Sequence, residues 1–215
     1  MELVYIQIIY LFLAKGLVIN MFSNKELQDL IAGKVVGNRF PYDTGNQQEI
    51  EAHIRRLFYR LNRIPNLICE AEWNHFGSGY ASFVEIFCYI KEAVTVEEKY
   101  GMREENIEGI IIDICRLAPV AIMGMDERFH KIRIETNEKV SGSSGFLLDG
   151  PHRLYVNEKY QEVADKIRFA LQEFDIELLS AATLNDFLPF RAKIDTIHRN
   201  PNDYLIMDAI FYWED

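Results

Sequence analysis

The chain has 215 residues, of which 49% are hydrophobic and 26% charged, and its formal net charge is −10. This composition excludes a wholly disordered chain, a collagen-like chain and a polytopic membrane protein. The charge is uneven, because residues 1–70 carry a net charge of +1 and residues 71–215 a net charge of −11. Such a surface repels nucleic-acid phosphates and attracts basic molecules. We therefore expect a basic protein partner and no nucleic acid.

The first 21 residues form an apolar segment unlike the rest of the chain. Residues 3–13 are almost entirely apolar, and Lys15 separates them from a second short apolar stretch. A secretory signal needs positive charge before its apolar run, where this chain has Glu2, and a membrane-spanning helix needs about 20 apolar residues. We interpret residues 1–21 as an extended start or a loosely docked segment, with a buried element or a membrane anchor as alternatives. Residues 22–215 are predicted to form a single α+β domain.

Two long stretches have the periodicity of amphipathic helices. In Gln47–Leu61 the apolar residues recur every three or four positions and so share one face. A second helix is predicted to run from Asn157, as its N-cap, to about Phe174. A shorter helix is expected near the start of the domain, with Ser23 or Asn24 as its cap.

The region between the two long helices is rich in β-branched and aromatic residues, which predicts strands. In the longest of them the even-numbered residues from 84 to 90 form an apolar face that we expect to lie against the core. Residues 140–151 are expected to be flexible. The order of helices and strands predicts an α+β fold, with a mostly antiparallel sheet and two principal helices packed on it. The predicted strands are Leu67–Trp73, Tyr80–Val96, Gly109–Cys115, Val120–Met125, Arg128–Glu135 and Tyr204–Trp213.

Neither the cysteines nor the histidines show the spacing of a metal site or a catalytic motif. The cysteines are Cys69, Cys88 and Cys115. Each is expected to be a buried, reduced thiol, as in a cytoplasmic protein. We expect no cofactor and no metal. The alternative is a small hydrolase in which the fold brings His75, His130 or His152 close to an Asp or a Cys.

Two aspartates interrupt otherwise apolar runs. Asp113 lies within the strand predicted for Gly109–Cys115, and Asp208 lies within the predicted C-terminal strand. A charge in such a run either faces solvent or is paired, because an isolated buried charge is costly. If the two aspartates are paired, the expected partners are Arg116 and the arginines at positions 55–63.

The patterns favour binding over catalysis. Neighbouring carboxylates point in different directions on a strand or a helix, so the adjacent acids of this chain do not form acid–base couples. They are instead interpreted as a solvated acidic surface that serves solubility or, alternatively, as a surface that attracts a basic partner, with loop aromatic residues as anchors and no membrane involved. The candidate partner-binding residues are Trp73, His75, Phe76, Tyr80, Glu97, Glu98, Glu104, Glu105, Asp126 and Glu127.

The second half of the chain resembles immunity proteins of bacterial polymorphic-toxin systems. The residues that carry the resemblance are the helix Tyr160–Phe174, the phrase FDIELL at residues 174–179 and the terminal strand that ends in IFYWED at residues 210–215. Small size, acidity and many aromatic residues agree with such proteins. The resemblance implies that the chain inactivates a cognate toxin by covering its active site or substrate groove.

Overall fold

In the computed structural model, which describes residues 21–77, 79–194 and 196–214, a seven-stranded, mostly antiparallel sheet forms the centre of the fold. Of the apolar segment predicted for residues 1–21, residues 1–20 lie outside the described residues. The strands are β1 (Leu67–Glu72), β2 (Tyr80–Ala81), β3 (Phe83–Ile90), β4 (Val94–Lys99), β5 (Met102–Cys115), β6 (Val120–Arg133), β7 (Glu138–Ser143), β8 (Glu177–Leu178) and β9 (Trp213–Glu214). The helices are α1 (Asn24–Ile31), α2 (Gln47–Leu61), α3 (Gln161–Glu173), α4 (Ala181–Leu184) and α5 (Ile206–Ile210).

Two long central strands divide the sheet into two halves. The strand order is β1-β3-β5-β6-β7, with β4 also beside β5 and a short parallel strand, β8, beside β6. Strand β3 pairs with the second half of β5, whereas β4 pairs with the first half. The outer half therefore consists of β4, residues 102–108 of β5, residues 127–133 of β6, and β7. We call this outer half the extension.

The two principal helices pack on one face of the sheet, as the sequence predicts. Helix α2 begins after Asn46, whose side chain accepts hydrogen bonds from the N–H groups of Gln48 and Glu49. Its apolar stripe is buried against the face of the sheet that carries Val84 and Ile86. The α3 helix contributes Ile167 and its apolar neighbours to the same cluster. The α+β prediction is confirmed.

The opposite face of the sheet is also covered, which the sequence analysis did not foresee. Phe83, Phe87 and Ile111 are buried there beneath α1, α5 and the irregular segments that contain Leu147 and Ile194. The short helix predicted near the start is present, because Ser23 caps α1 and forms a reciprocal capping box with Glu26. Strand β3 is thus buried on both faces over most of its length.

Two local predictions were wrong. The predicted C-terminal strand contains helix α5, and only Trp213–Glu214 at its end forms a strand. Asn157 makes no capping hydrogen bond, and a single turn, Glu158–Tyr160, precedes α3. Within the described residues, none of the helices has both the length and the apolar character needed to cross a membrane.

Candidate functional site

The candidate residues from the sequence fall into three structural settings. Trp73, His75, Phe76 and Tyr80 belong to the connection between β1 and β3, which we call the aromatic loop. The glutamates all lie on the extension, at Glu97, Glu98, Glu104, Glu105 and Glu127. Asp126 is only 3% exposed. The expectation that Asp126 is a surface contact was therefore wrong, because its side chain points into the protein whereas Glu127 is exposed.

Four glutamates share one face of the extension, and we call this set the outer acidic face. Glu97 lies directly opposite Glu104 across β4 and β5, and Glu108 lies directly opposite Glu127 across β5 and β6. Residues 104 and 108 are four positions apart on one strand, so their side chains point to the same side. Like charges placed directly opposite each other on paired strands are destabilising. The sheet therefore carries two repulsive pairs on a single face.

Only part of this repulsion is neutralised within the described structure. Lys131 forms an ion pair with Glu104 at 2.7 Å, and Lys159 forms one with Glu108. Glu97 and Glu127 are exposed, and neither forms an ion pair with a described residue. The outer acidic face therefore presents two carboxylates, one in each pair, that form no ion pair with a described residue, although Lys159 also attracts Glu127.

The pair Glu108–Glu127 lies between two surface hollows. One hollow, of about 440 Å³, also includes Thr95, Asn106 and Phe129. The other, of about 350 Å³, lies between this part of the sheet and the residues that lead into α3. A cationic side chain that enters either hollow would meet carboxylate oxygens, and in the first it would also meet an aromatic ring.

The remaining candidate acids face the other way. Glu98 lies opposite Arg103, and Glu105 forms an ion pair with the same arginine at 2.8 Å. Adjacent letters in the sequence thus separate onto two faces, as expected for a strand. Glu108 was missed by the sequence analysis, although its i, i+2, i+4 alternation with Asn106 and Glu104 is the signal that could have found it.

A second acidic group lies inside the sheet. Glu72, Glu85 and Asp113 form a row across β1, β3 and β5, with each residue directly opposite the next. Glu85 is 5% and Asp113 1% exposed. We call these three residues, together with Asp126 and Arg128 of β6, the buried carboxylate cluster.

Arg128 provides the positive charge of the buried carboxylate cluster. Its guanidinium donates to Glu85 at 2.6 Å and to Asp126 at 3.2 Å, and it stacks over the ring of Phe87 at 4.0 Å. Asp126 also accepts a hydrogen bond from the N–H of Gly145. One carboxylate oxygen of Glu85 and one of Asp113 have no hydrogen-bond partner among the described residues.

The electrostatics of the buried carboxylate cluster favour the protonated forms of Glu85 and Asp113. Burial raises the pKa of Glu85 to about 7, although Arg128 opposes the shift. Burial, followed by repulsion from Glu85, raises the pKa of Asp113 well above its usual range. The expectation that Asp113 pairs with Arg116 or an arginine of α2 was wrong, because its nearest influential cation is Arg128. Asp208 is paired instead with Arg199.

The aromatic loop is anchored by one of its own members. Phe76 packs against Phe83, Phe146 and Trp213, with ring centroids 5.4–5.8 Å apart. Trp73 lies under the guanidinium of Arg55 at 4.1 Å. Trp73 and Phe76 thus contribute to the stability of the loop, and both remain partly exposed.

The residues proposed for a hydrolase lie apart from one another. His75 accepts a hydrogen bond from the N–H of Ala81, and His130 lies 3.9 Å from the nearest carboxylate oxygen, on Glu105. His152 is exposed. All three cysteines are free and buried, which confirms that part of the prediction. In the described ranges no three His, Cys, Asp or Glu side chains are grouped so as to hold a metal ion.

Comparison with known proteins adds no relative. The chain matches no protein-family model, no curated protein and no solved structure. The functional argument therefore depends on the residues and the geometry described above.

Proposed function

We propose that this chain is an acidic binding protein that neutralises a basic protein partner, most concretely an immunity protein that covers the active site or substrate groove of a bacterial toxin. The observation that carries the proposal is the outer acidic face. In each of two pairs there, the glutamates lie directly opposite each other at a cost in stability, and two of the four carboxylates form no ion pair with a described residue. A cationic partner would relieve that repulsion when it binds.

The extension offers the other features that a protein interface needs. Apolar side chains are exposed beside the acids, and Tyr100 at the tip of the β4–β5 hairpin is 90% exposed. Among the described residues, β4 and β7 each pair with only one neighbouring strand, so each presents a row of backbone N–H and C=O groups. Charge on this surface would guide the encounter, and the apolar groups would contribute to the affinity.

The proposed site of action is the cytoplasm of a bacterium. Three free, buried cysteines suit a reducing compartment. An inhibitor that acts there meets a toxin before or after its delivery into the cell. The resemblance of residues 160–179 to immunity proteins supports the same proposal, although in its C-terminal part helix α5 ends at Ile210 and only Trp213–Glu214 form a strand.

Co-expression with the toxin tests this proposal. The chain and the toxic domain encoded beside it are expressed together, and growth is measured with the wild type and with a Glu97→Lys/Glu127→Lys variant. We expect the wild type to restore growth and the variant to fail. A matched control, Asp186→Lys/Asp203→Lys, changes the net charge equally at exposed acids away from the extension. The proposal is contradicted if the wild type gives no protection, or if both variants protect equally well.

A further inference from the structure

A small cleft lies where the aromatic loop meets the N-terminal half of α2. Its volume is about 190 Å³. The lining residues are Gln47, Ile50, Glu51, His75, Tyr80 and Arg116. The cleft differs from the outer acidic face in the sign of its charge, because it contains a buried cation. We call it the Arg116 cleft.

Arg116 brings a buried positive charge to this cleft. Its side chain is only 10% exposed. It donates to the backbone carbonyls of Phe83 and Trp73, at 3.1 and 3.0 Å, and to Glu51 at 3.3 Å. A guanidinium has five N–H groups, so two of them are left without a described acceptor. These contacts hold the planar guanidinium in place, and its two remaining N–H groups can bind a ligand.

Two further donors line the cleft. His75 accepts the N–H of Ala81 at its Nδ1 atom, 2.9 Å away, which places the proton of the neutral ring on Nε2. Burial lowers the pKa of His75 and so favours that neutral form. Its ring stacks on Tyr80, with centroids 5.4 Å apart. Neither the Nε2–H group of His75 nor the hydroxyl of Tyr80 has a described hydrogen-bond partner.

The backbone of the aromatic loop is strained at this point. His75 and Phe76 have φ angles of 53° and 59°, in the left-handed region that residues other than glycine rarely adopt. The packing of Phe76 against Phe83 and Trp213 holds the loop in this conformation. Strain of this kind is often found where a side chain must be held in one orientation for binding. Here it directs the ring of His75 toward Tyr80 and the cleft.

We propose that the Arg116 cleft binds a carboxylate. Glu51 already accepts two hydrogen bonds from Arg55, at 3.0 and 2.7 Å, so Arg116 supplies the unmatched charge of the lining. A single buried cation suits a monoanion, and the nearby carboxylate of Glu51 disfavours a doubly charged phosphate. The volume accommodates a carboxyl group with a few carbon atoms, and a drug-sized ligand needs a larger pocket.

Titration with acetate, inorganic phosphate and a pair of dipeptides tests this proposal. One dipeptide has a free C-terminal carboxylate and the other is its amide. Binding is followed by NMR, from the ¹H–¹⁵N signals of the His75 ring and the Ala81 amide, at constant ionic strength. We expect acetate to shift both signals saturably, with a dissociation constant of about 1–10 mM. A preference for the free dipeptide over its amide would identify a peptide C-terminus as the source, and weaker binding of both would identify a small free acid.

Two variants link the signal to the cleft. Tyr80→Phe removes a single hydroxyl and is expected to weaken acetate binding about tenfold, whereas the exposed Tyr155→Phe is the matched control and should bind like the wild type. Arg116→Lys keeps the charge and removes the planar fork, and should weaken binding at least as much. Absence of saturation at about 100 mM acetate, tighter binding of phosphate than of acetate, or equal binding by Tyr80→Phe and the wild type would each overturn the proposal.

Discussion

Glu85 and Asp113 face each other across two paired strands in the interior of the sheet, and each has one carboxylate oxygen without a described hydrogen-bond partner. Two ionised carboxylates in that position would repel each other in a medium where charge is poorly solvated. Arg128 compensates one negative charge, and Asp126 competes for it. A proton held by Glu85 or Asp113 relieves this repulsion. Stability then depends on pH in a range where carboxylates on a protein surface are already ionised.

The contribution of Glu85 to stability is expected to rise as the pH falls from 7.5 to 5. Burial raises the pKa of Glu85 to about 7 from its usual value of 4.5, so at this group the folded state binds more protons than the unfolded state between these pH values. The contribution is fully present below about pH 4.5 and is lost as the pH rises through about 7. Burial lowers the pKa of His53, His75 and His130, which act in the opposite sense, so the wild type is compared with Glu85→Gln. We expect the difference in the free energy of unfolding, wild type minus Glu85→Gln, to increase by about 2 kcal/mol toward pH 5 in urea denaturation. A difference that is constant or falls toward pH 5 would contradict this account.

Replacing single acids of the buried carboxylate cluster should separate their roles. Asp113→Asn keeps the shape and removes the charge, so it is expected to be more stable than the wild type at pH 8 and to lose that advantage near pH 4.5. The matched variant Asp126→Asn loses charge-assisted bonds to Arg128 and Gly145, and is expected to be less stable by about 1–3 kcal/mol at pH 8. Denaturation midpoints of both variants check this. The assignment fails if Asp113→Asn is the more destabilising of the two.

At the scale of elements, the apolar periodicity of the sequence was sufficient to predict a helix where only one face of that helix is buried. Helix α2 has the bounds predicted from its apolar stripe, because one side packs on the sheet and the other meets solvent. Helix α5 could not be predicted in the same way. Its residues Met207, Asp208, Ala209 and Ile210 are all buried, so the segment has no polar face to reveal its period. Asp208 faces the helix start, where it accepts the N–H of Leu205.

The capping of α1 can be tested directly. Ser23 accepts the N–H of Glu26, and Glu26 accepts the N–H of Ser23 at 2.7 Å. Since α1 covers one face of the sheet through Leu27 and Leu30, loss of the cap should destabilise the fold. Ser23→Ala is expected to cost about 1 kcal/mol in chemical denaturation. Ser141→Ala, at an exposed site in β7, should change stability by no more than about 0.5 kcal/mol, and equal effects of the two changes would refute the capping role.

A substitution in the turn at the tip of the extension is expected to increase the stability of the protein. Tyr100 and Gly101 both have positive φ angles, 53° and 73°, as in the tight turn that prefers Asn-Gly. Tyr100 is a strained choice for its position, because side chains other than those of Asn and Asp rarely adopt this conformation. Tyr100→Asn should therefore raise the free energy of unfolding by about 0.5 kcal/mol. If thermal melting shows a less stable variant, the ring of Tyr100 contributes more to the fold than this account allows.

At the scale of the whole molecule, the sequence shows which residues are acidic but did not allow us to predict which of them share a face of the sheet. The excess of negative charge after residue 70 and the glutamates at 97, 104 and 127 were visible in the letters. Their assembly into one face depends on strand register, which places Glu97 opposite Glu104 and Glu108 opposite Glu127. Register is fixed by the geometry of the connecting turns and by the apolar pattern of both strands, and the sequence analysis did not locate these turns. For the same reason the row of Glu72, Glu85 and Asp113 across the sheet, of which the last two are buried, was not foreseen.

The affinity of the purified chain for the toxic domain encoded beside it, measured by calorimetry, tests the central claim most directly. The account predicts that Glu97→Lys/Glu127→Lys weakens binding by about 30-fold or more, and that Asp186→Lys/Asp203→Lys stays within about threefold of the wild type. Equal weakening by the two variants would show that only net charge matters. That result, or no binding by the wild type at micromolar concentration, would contradict the assignment of the outer acidic face as the docking surface.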